Sequence, residues 1–192
     1  MEALFTSTAV VALAEIGDKT QLLAILLATR FKRPLPIILG ILVATLANHA
    51  LAALLGAQAA AFLDSDIFRY VIGASFVAMA AWTLIPDKFE DDDAPKSHAG
   101  AFMTTLVAFF LVEMGDKTQV ATIALGARFH DVFTVTAGTT LGMMIANVPA
   151  IFLGHELLKR VDLNKVRMIA AALFLVIGLW VLAQTAGLFG AG

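Results

Sequence analysis

From Leu4 to Leu188 the chain consists of apolar runs about as long as a bilayer's hydrocarbon core is thick, joined by short polar links. A helix needs about 20 mostly apolar residues to cross ~30 Å of hydrocarbon. Six segments meet that need: Leu4–Thr29, Leu35–Ala57, Ile67–Ile85, Ala101–Ala127, Val132–Leu153 and Val166–Leu188. The links read "RFKRP", "DSD", "PDKFEDDDAPKSH", "RFHD" and "HELLKRVDLNK". Backbone in lipid must satisfy its own hydrogen bonds, so the spans are expected to be helices. Composition agrees: 60% of residues are hydrophobic, only 15% are charged and mean hydropathy is +0.88, far from the balance of a soluble domain. With no cysteine, disulfides and thiolate metal sites are excluded. The first apolar stretch lacks a basic n-region and is too long for a signal peptide's core, so no secretory leader is expected. The expected partner is the bilayer, not nucleic acid.

The sequence matches itself at a fixed offset of 98 residues. "AEIGDKTQ" at 14–21 falls on "VEMGDKTQ" at 112–119, and the match continues beyond the motif. Arg30–Phe31 meets Arg128–Phe129, Gly40 meets Gly138, Gly56 meets Gly154, Arg69 meets Arg167, Phe76 meets Phe174 and Trp82 meets Trp180. One ungapped offset through three spans is a duplication. Each half holds an odd number of spans, so the second half must enter from the opposite side. The expected fold is therefore all-α and integral to the membrane, with six transmembrane helices as two inverted three-helix repeats. Residues 1–192 form a single domain: repeat one at 1–86, an acidic linker at 87–99 and repeat two at 100–192. Such repeats are typical of secondary transporters, whose substrate sites lie near the midplane where the repeats meet.

Basic residues in short loops orient the chain. The side of links one, three and five carries Arg30, Lys32, Arg33, Lys88, Lys96, Lys159, Arg160 and Lys165, with Arg167 at its edge. The opposite side carries Arg69 and Arg128. Both termini are thus expected outside the cytoplasm and the linker inside it. Arg30, Arg69, Arg128 and Arg167 are expected to snorkel, and Trp82 and Trp180 to pack or anchor at the interface. The "EDDD" run at 90–93 reads as a solvated linker, with a cation-collecting role as the alternative.

The repeated octapeptide places Glu15, Asp18 and Lys19, and again Glu113, Asp116 and Lys117, midway along apolar spans. On a regular helix Glu15, Asp18 and Gln21 share a face, as do Glu113, Asp116 and Gln119. Lys19, four residues beyond Glu15, can reach it as an ion pair. Gly17 and Gly115 can loosen the helix there. Ionisable groups at this depth are expensive, and by default functional. Four acids and two lysines leave a formal excess of −2, which either one divalent cation or two protons would neutralise. Carboxylate and amide oxygens suit Mn2+, Ca2+ or Mg2+. The expected metal and proton site comprises Glu15, Asp18, Glu113 and Asp116, with Gln21, Gln119, Asn48 and Asn147 as further ligands and Lys19 and Lys117 as charge-balancing groups. His49, the offset mate of Asn147, stands with the second-span groups that can complete the shell, although interhelical hydrogen bonding serves all three equally well. Thr20 and Thr118 are expected to bond back to the preceding turn.

Two copies of E-x-G-D-K-T, "EIGDKT" and "EMGDKT", in a six-span inverted repeat resemble the GDT-one family, also filed as uncharacterised protein family sixteen. The family includes Golgi calcium/manganese transporters and bacterial manganese exporters. The resemblance covers essentially the whole chain. It implies cation/proton antiport, with Glu15 and Asp18 from one half and Glu113 and Asp116 from the other forming the metal site. The short linker and the lack of an N-terminal extension look prokaryotic, implying an inner-membrane location. The expected function is Mn2+ efflux coupled to proton entry, with Ca2+/H+ antiport through the same site as the alternative. The transported ion is substrate, no cofactor is expected, and the protein is not expected to be an enzyme. Two rivals from other classes are a passive cation channel and an intramembrane aspartyl protease using Asp18 and Asp116, although the protease motif has Gly where this chain has Glu15 and Glu113.

Overall fold

In the computed structural model, which describes residues 1–63, 65–85, 100–154 and 162–188, each span bearing the motif is interrupted at its glycine. The first is α1 (Glu2–Glu15) followed by α2 (Lys19–Phe31). The fourth is α5 (Ala101–Glu113) followed by α6 (Lys117–Phe129). The cause lies in the backbone: Gly17 has φ +81° and Gly115 φ +80°, the left-handed region that only glycine enters freely. The next residue in each, Asp18 or Asp116, is extended and starts a new helix. The regular-helix expectation for the motif is thus replaced by a broken one.

The remaining described helices are α3 (Pro34–Phe62), α4 (Asp66–Thr83), α7 (Val132–Leu153) and α8 (Leu163–Thr185). Starts follow ordinary chemistry. Pro34 opens α3, where its missing N–H is no loss. The side chains of Ser65, Asp131 and Asp162 accept from Phe68, Thr134 and Lys165 backbone N–H groups. Among the described residues the chain is all helix, eight in number. Three of them, α3, α7 and α8, are long and apolar enough to cross a membrane. The acidic run at 90–93 lies outside the described residues.

The surface is apolar and the interior holds the polar groups. Leu55, Ile67, Leu111, Ile145, Phe152 and Val176 are exposed, whereas Glu15, Gln21, Asn48, His49, Glu113, Asp116 and Asn147 are buried. That reverses the order of a water-soluble protein.

The two halves interlock reciprocally. α1 packs against α7 and α5 against α3, while α4 packs against α8. A Cβ on Gly40 would meet the Phe102 carbonyl oxygen at 2.9 Å and Thr105 Cβ at 2.8 Å. A Cβ on Gly138, 98 positions on, would meet the Leu4 carbonyl oxygen at 2.8 Å and Ser7 Cβ at 2.8 Å, the offset mates of those groups. Phe76 and Phe174, themselves mates, touch with ring centroids 6.3 Å apart. Small residues let these backbones approach closely, as helices associating in lipid require. The α3–α6 seam is tighter still, with Gly126 against Ala53 and Gly56 against Ile123.

Candidate metal centre

Breaking the helix at the buried Gly17 and the exposed Gly115 frees backbone groups that need partners where no water competes. Gln21 and Gln119 supply them: each side-chain oxygen accepts from the glycine N–H four residues earlier, at 2.9 Å for Gly17 and 2.7 Å for Gly115. The amide nitrogens then tie the breaks to other helices. Gln21 Nε2 donates to the Ala146 carbonyl on α7 at 2.8 Å, and Gln119 Nε2 donates to Asn48 Oδ1 on α3. Asn48 Nδ2 in turn donates to the Phe110 carbonyl at 3.2 Å. The amides of Gln21, Gln119 and Asn48 are therefore engaged in holding the breaks. Asn147 donates to Met143 at 3.0 Å, while its buried Oδ1 has no hydrogen-bond partner.

The breaks point both motifs at one place. Oxygens of Glu15, Glu113 and Asp116 all lie within 4.8 Å of one another, and all three residues are buried. Ligand atoms ~2.1–2.4 Å from a single Mg2+- or Ca2+-sized ion stand at most about 4.2–4.8 Å apart. Each pair of these oxygens therefore falls within the span of two ligands on one such ion. Asp18 stays out of this trio; one of its oxygens accepts from the Lys19 backbone N–H at 2.7 Å, capping α2. Asp116 makes no such cap and its carboxylate meets Lys19 Nζ at 3.0 Å instead. That contact corrects the sequence expectation, which paired Lys19 with Glu15 of its own half. The pair joins the two halves.

Thr20 and Thr118 also depart from expectation. Neither bonds back to a preceding turn; Thr20 Oγ1 donates to Glu15 and Thr118 Oγ1 to Glu113. Both sit in the first turn of a new helix, where no helical carbonyl lies four residues behind. One oxygen of each glutamate is thus held by a hydroxyl and one of Asp116 by Lys19, leaving Glu15 Oε1, Glu113 Oε2 and Asp116 Oδ2 buried without a hydrogen-bond partner among the described residues. Buried carboxylate oxygens are rarely left so. An oxygen-lined cluster with lone pairs to spare suits a hard cation.

His49 lies beside Glu113, with Nε2 3.6 Å from Oε1, the oxygen that also accepts from Thr118, and stands outside the mutual 4.8 Å grouping of the three acids. Sequence reasoning considered it beside Asn48 and Asn147 but left it out of the expected ligand set. A separate cavity of about 360 Å3 opens between α4, α6 and α8, lined by Arg69, Arg128, His130 and Gln184. Its guanidinium groups repel cations, and it is distinct from the acid cluster. Arg128 stacks on Phe129 and lies 3.8 Å from Glu2.

An all-helical chain with an apolar exterior and carboxylates converging at two broken helices has the build of an ion-handling membrane protein. Comparison makes the class specific. The family described as "Divalent cation/proton antiporter GDT1" matches residues 3–91 and 101–188, and the chain belongs to that family. The family is one of transporters rather than enzymes. A Vibrio cholerae protein named "Putative manganese exporter" is 49% identical over 180 residues, covering 93% of this chain and 90% of the relative. A GDT1-like protein of Synechocystis is 29% identical over 185 residues, covering 85% of this chain and 88% of the relative. GDT1-like protein 5 of Arabidopsis thaliana is 26% identical over 212 residues, covering 90% and 92%. No solved structure matches the chain.

Proposed function

We propose that this chain exports Mn2+ from the cytoplasm in exchange for protons. The observation that carries the reading is the convergence of Glu15, Glu113 and Asp116 from both motifs within 4.8 Å. Three carboxylates and the paired Lys19 leave a formal charge of −2 there. One M2+ or two protons neutralise that charge, and a neutral cavity is far cheaper to carry through lipid than a charged one. Metal and protons thus become alternative loads of one site, which is the requirement for antiport.

In this mechanism the deprotonated acids take the ion on the cytoplasmic side. Thr20 and Thr118 hold the Glu15 and Glu113 carboxylates in place, while Gln21 and Gln119 keep the helix breaks open. Rocking of one three-helix repeat against the other moves access to the far side. There protons compete for the carboxylates, release the metal and return with the site. The six spans are read as two inverted repeats in an inner membrane, with both termini outside and the 87–99 linker in the cytoplasm. The duplicated sequence, the reciprocal Gly40 and Gly138 seams and the loop charges support that topology. The name of the Vibrio relative favours manganese as the exported ion. Ca2+/H+ antiport through the same oxygens is the second reading, favoured by the hard donor set itself.

The test is Glu113→Gln in proteoliposomes under an imposed proton gradient, with Glu15→Gln beside it. Each variant is expected to lose Mn2+-dependent proton flux while still folding. Parental exchange in either would remove the acid cluster from the mechanism.

A further inference from the structure

His49 belongs to neither motif, yet it reaches the cluster from α3. It is wholly buried, at 0% exposure, and neither ring nitrogen has a hydrogen-bond partner among the described residues. A histidine retained only for packing would ordinarily bond at least one nitrogen. Its Nε2 lies 3.6 Å from Glu113 Oε1, too long for a hydrogen bond. That oxygen accepts from Thr118 Oγ1 and keeps a second lone pair, and 3.6 Å is the spacing of two ligands on one ion: atoms ~2.2 Å from a metal, between the Mg2+ and Ca2+ distances, stand about 3.1–3.6 Å apart at angles of ~90–110°. The neighbouring Asn48 is pinned by Gln119 and by the Phe110 carbonyl, so the α3 turn that carries His49 is fixed against α5 and α6. Such support is what orients a metal-binding imidazole.

We propose that His49 is a nitrogen ligand of the transported ion and sets the site's preference for divalent transition ions over Ca2+ and Mg2+. The inference rests on the acid cluster being the transport site. Imidazole is a borderline donor that Mn2+ and later transition ions accept, whereas Ca2+ and Mg2+ take oxygen. The offset mate of His49 is Asn147, whose amide offers a metal only oxygen. The halves carry the same Glu, Asp, Lys, Thr and Gln in their motifs and differ in the second span at His49 against Asn147 and at Asn48 against Ala146. His49→Asn therefore makes position 49 match its offset mate Asn147 and the ligand set all oxygen, with little change in bulk.

The experiment compares wild type, His49→Asn and Glu113→Gln in detergent and in proteoliposomes, using Mn2+, Ca2+ and Mg2+ as probes. His49→Gln serves if His49→Asn does not fold. Equilibrium competition is expected to show the Mn2+ to Ca2+ affinity ratio falling by about tenfold or more in His49→Asn. Ca2+-dependent proton flux is expected to stay within about twofold of the parent. Pulsed electron paramagnetic resonance of bound Mn2+ is expected to show 14N coupling in wild type that disappears in the variant. An unchanged ratio, an equal loss of both ions, or a 14N signal that survives would overturn the assignment. If Glu113→Gln keeps Mn2+/H+ exchange, the acid-cluster reading fails; if it abolishes exchange while the His49→Asn ratio stays parental, only the role of His49 fails.

Discussion

Replacing Gly115 by alanine isolates the helix break from every other feature of the site. The position has φ +80°, and an added Cβ would meet nothing within 4 Å, so the cost is purely one of backbone conformation. An L-residue in the left-handed region costs roughly 1–2 kcal/mol. Alanine also favours a regular helix over glycine by about 1 kcal/mol. Together these bias the α5–α6 junction towards straightening by ~2–3 kcal/mol, or on the order of 30–150-fold in population. A straight helix gives up the Gln119 bond to the Gly115 N–H and turns Asp116 away from Glu113. We therefore expect Gly115→Ala to bind Mn2+ at least about tenfold more weakly and to lose most Mn2+-dependent proton flux. Gly115→Asn, which tolerates positive φ, is expected to recover much of both. Gly17→Ala is expected to be worse than Gly115→Ala, because its Cβ would also sit 2.7 Å from Leu163 Cδ2. Equilibrium Mn2+ binding in detergent, read beside thermal unfolding, measures the effect. Parental binding in Gly115→Ala, or an asparagine variant as damaged as the alanine one, would refute the reasoning.

Two further outcomes concern the scaffold. Gly56→Ala would drive a Cβ to 2.0 Å from the Ile123 carbonyl oxygen and Gly126→Ala to 2.4 Å from that of Ala53, with backbone on both sides unable to yield cheaply. Each is expected to lower thermal stability in detergent by about 1–3 kcal/mol, whereas Gly100→Ala, with open space around it, is not. Asp131, capping α7 outside the spans, has its carboxyl held below the usual range, first by the Thr134 side chain and then by the Thr134 backbone N–H. A depressed folded-state value means the cap stabilises above the ordinary value of about 3.9 and is lost as pH falls through the folded one. Asp131→Asn is accordingly expected to lower the melting temperature at neutral pH, with the gap to wild type closing on acidification below that range.

The all-helical class was legible because lipid imposes length and polarity rules that few sequences meet by accident. The 98-residue offset reappears in the backbone: α2 starts at Lys19 and α6 at Lys117, and Lys32 and His130 end those helices with φ 51° and 54°. The breaks themselves were only half visible. Gly-Asp inside an apolar run is a helix stop followed by a cap, but helical periodicity taken across it still put Glu15 and Asp18 on one face. Lys19 was assigned to Glu15 because sequence shows only local reach, while its partner Asp116 comes from the other half. Thr20 was misread because back-bonding requires a turn behind it, which the break removes. Nothing in the order of residues could tell Asp18, which caps, from Asp116, which joins Glu15 and Glu113. His49 stands outside the expected ligand set because a solitary histidine carries little weight in sequence, and the carboxylate 3.6 Å from it belongs to the other half.

The crossing of Lys19 to Asp116 means that neither half owns a finished site. Three helices alone would bring a lysine and two acids with nothing opposite them. Fusion of the copies into one chain therefore does more than keep them together. It lets each contribute a different partner to a shared centre, so that residues such as His49 and Asn147 can diverge while the seams that dock the copies stay matched.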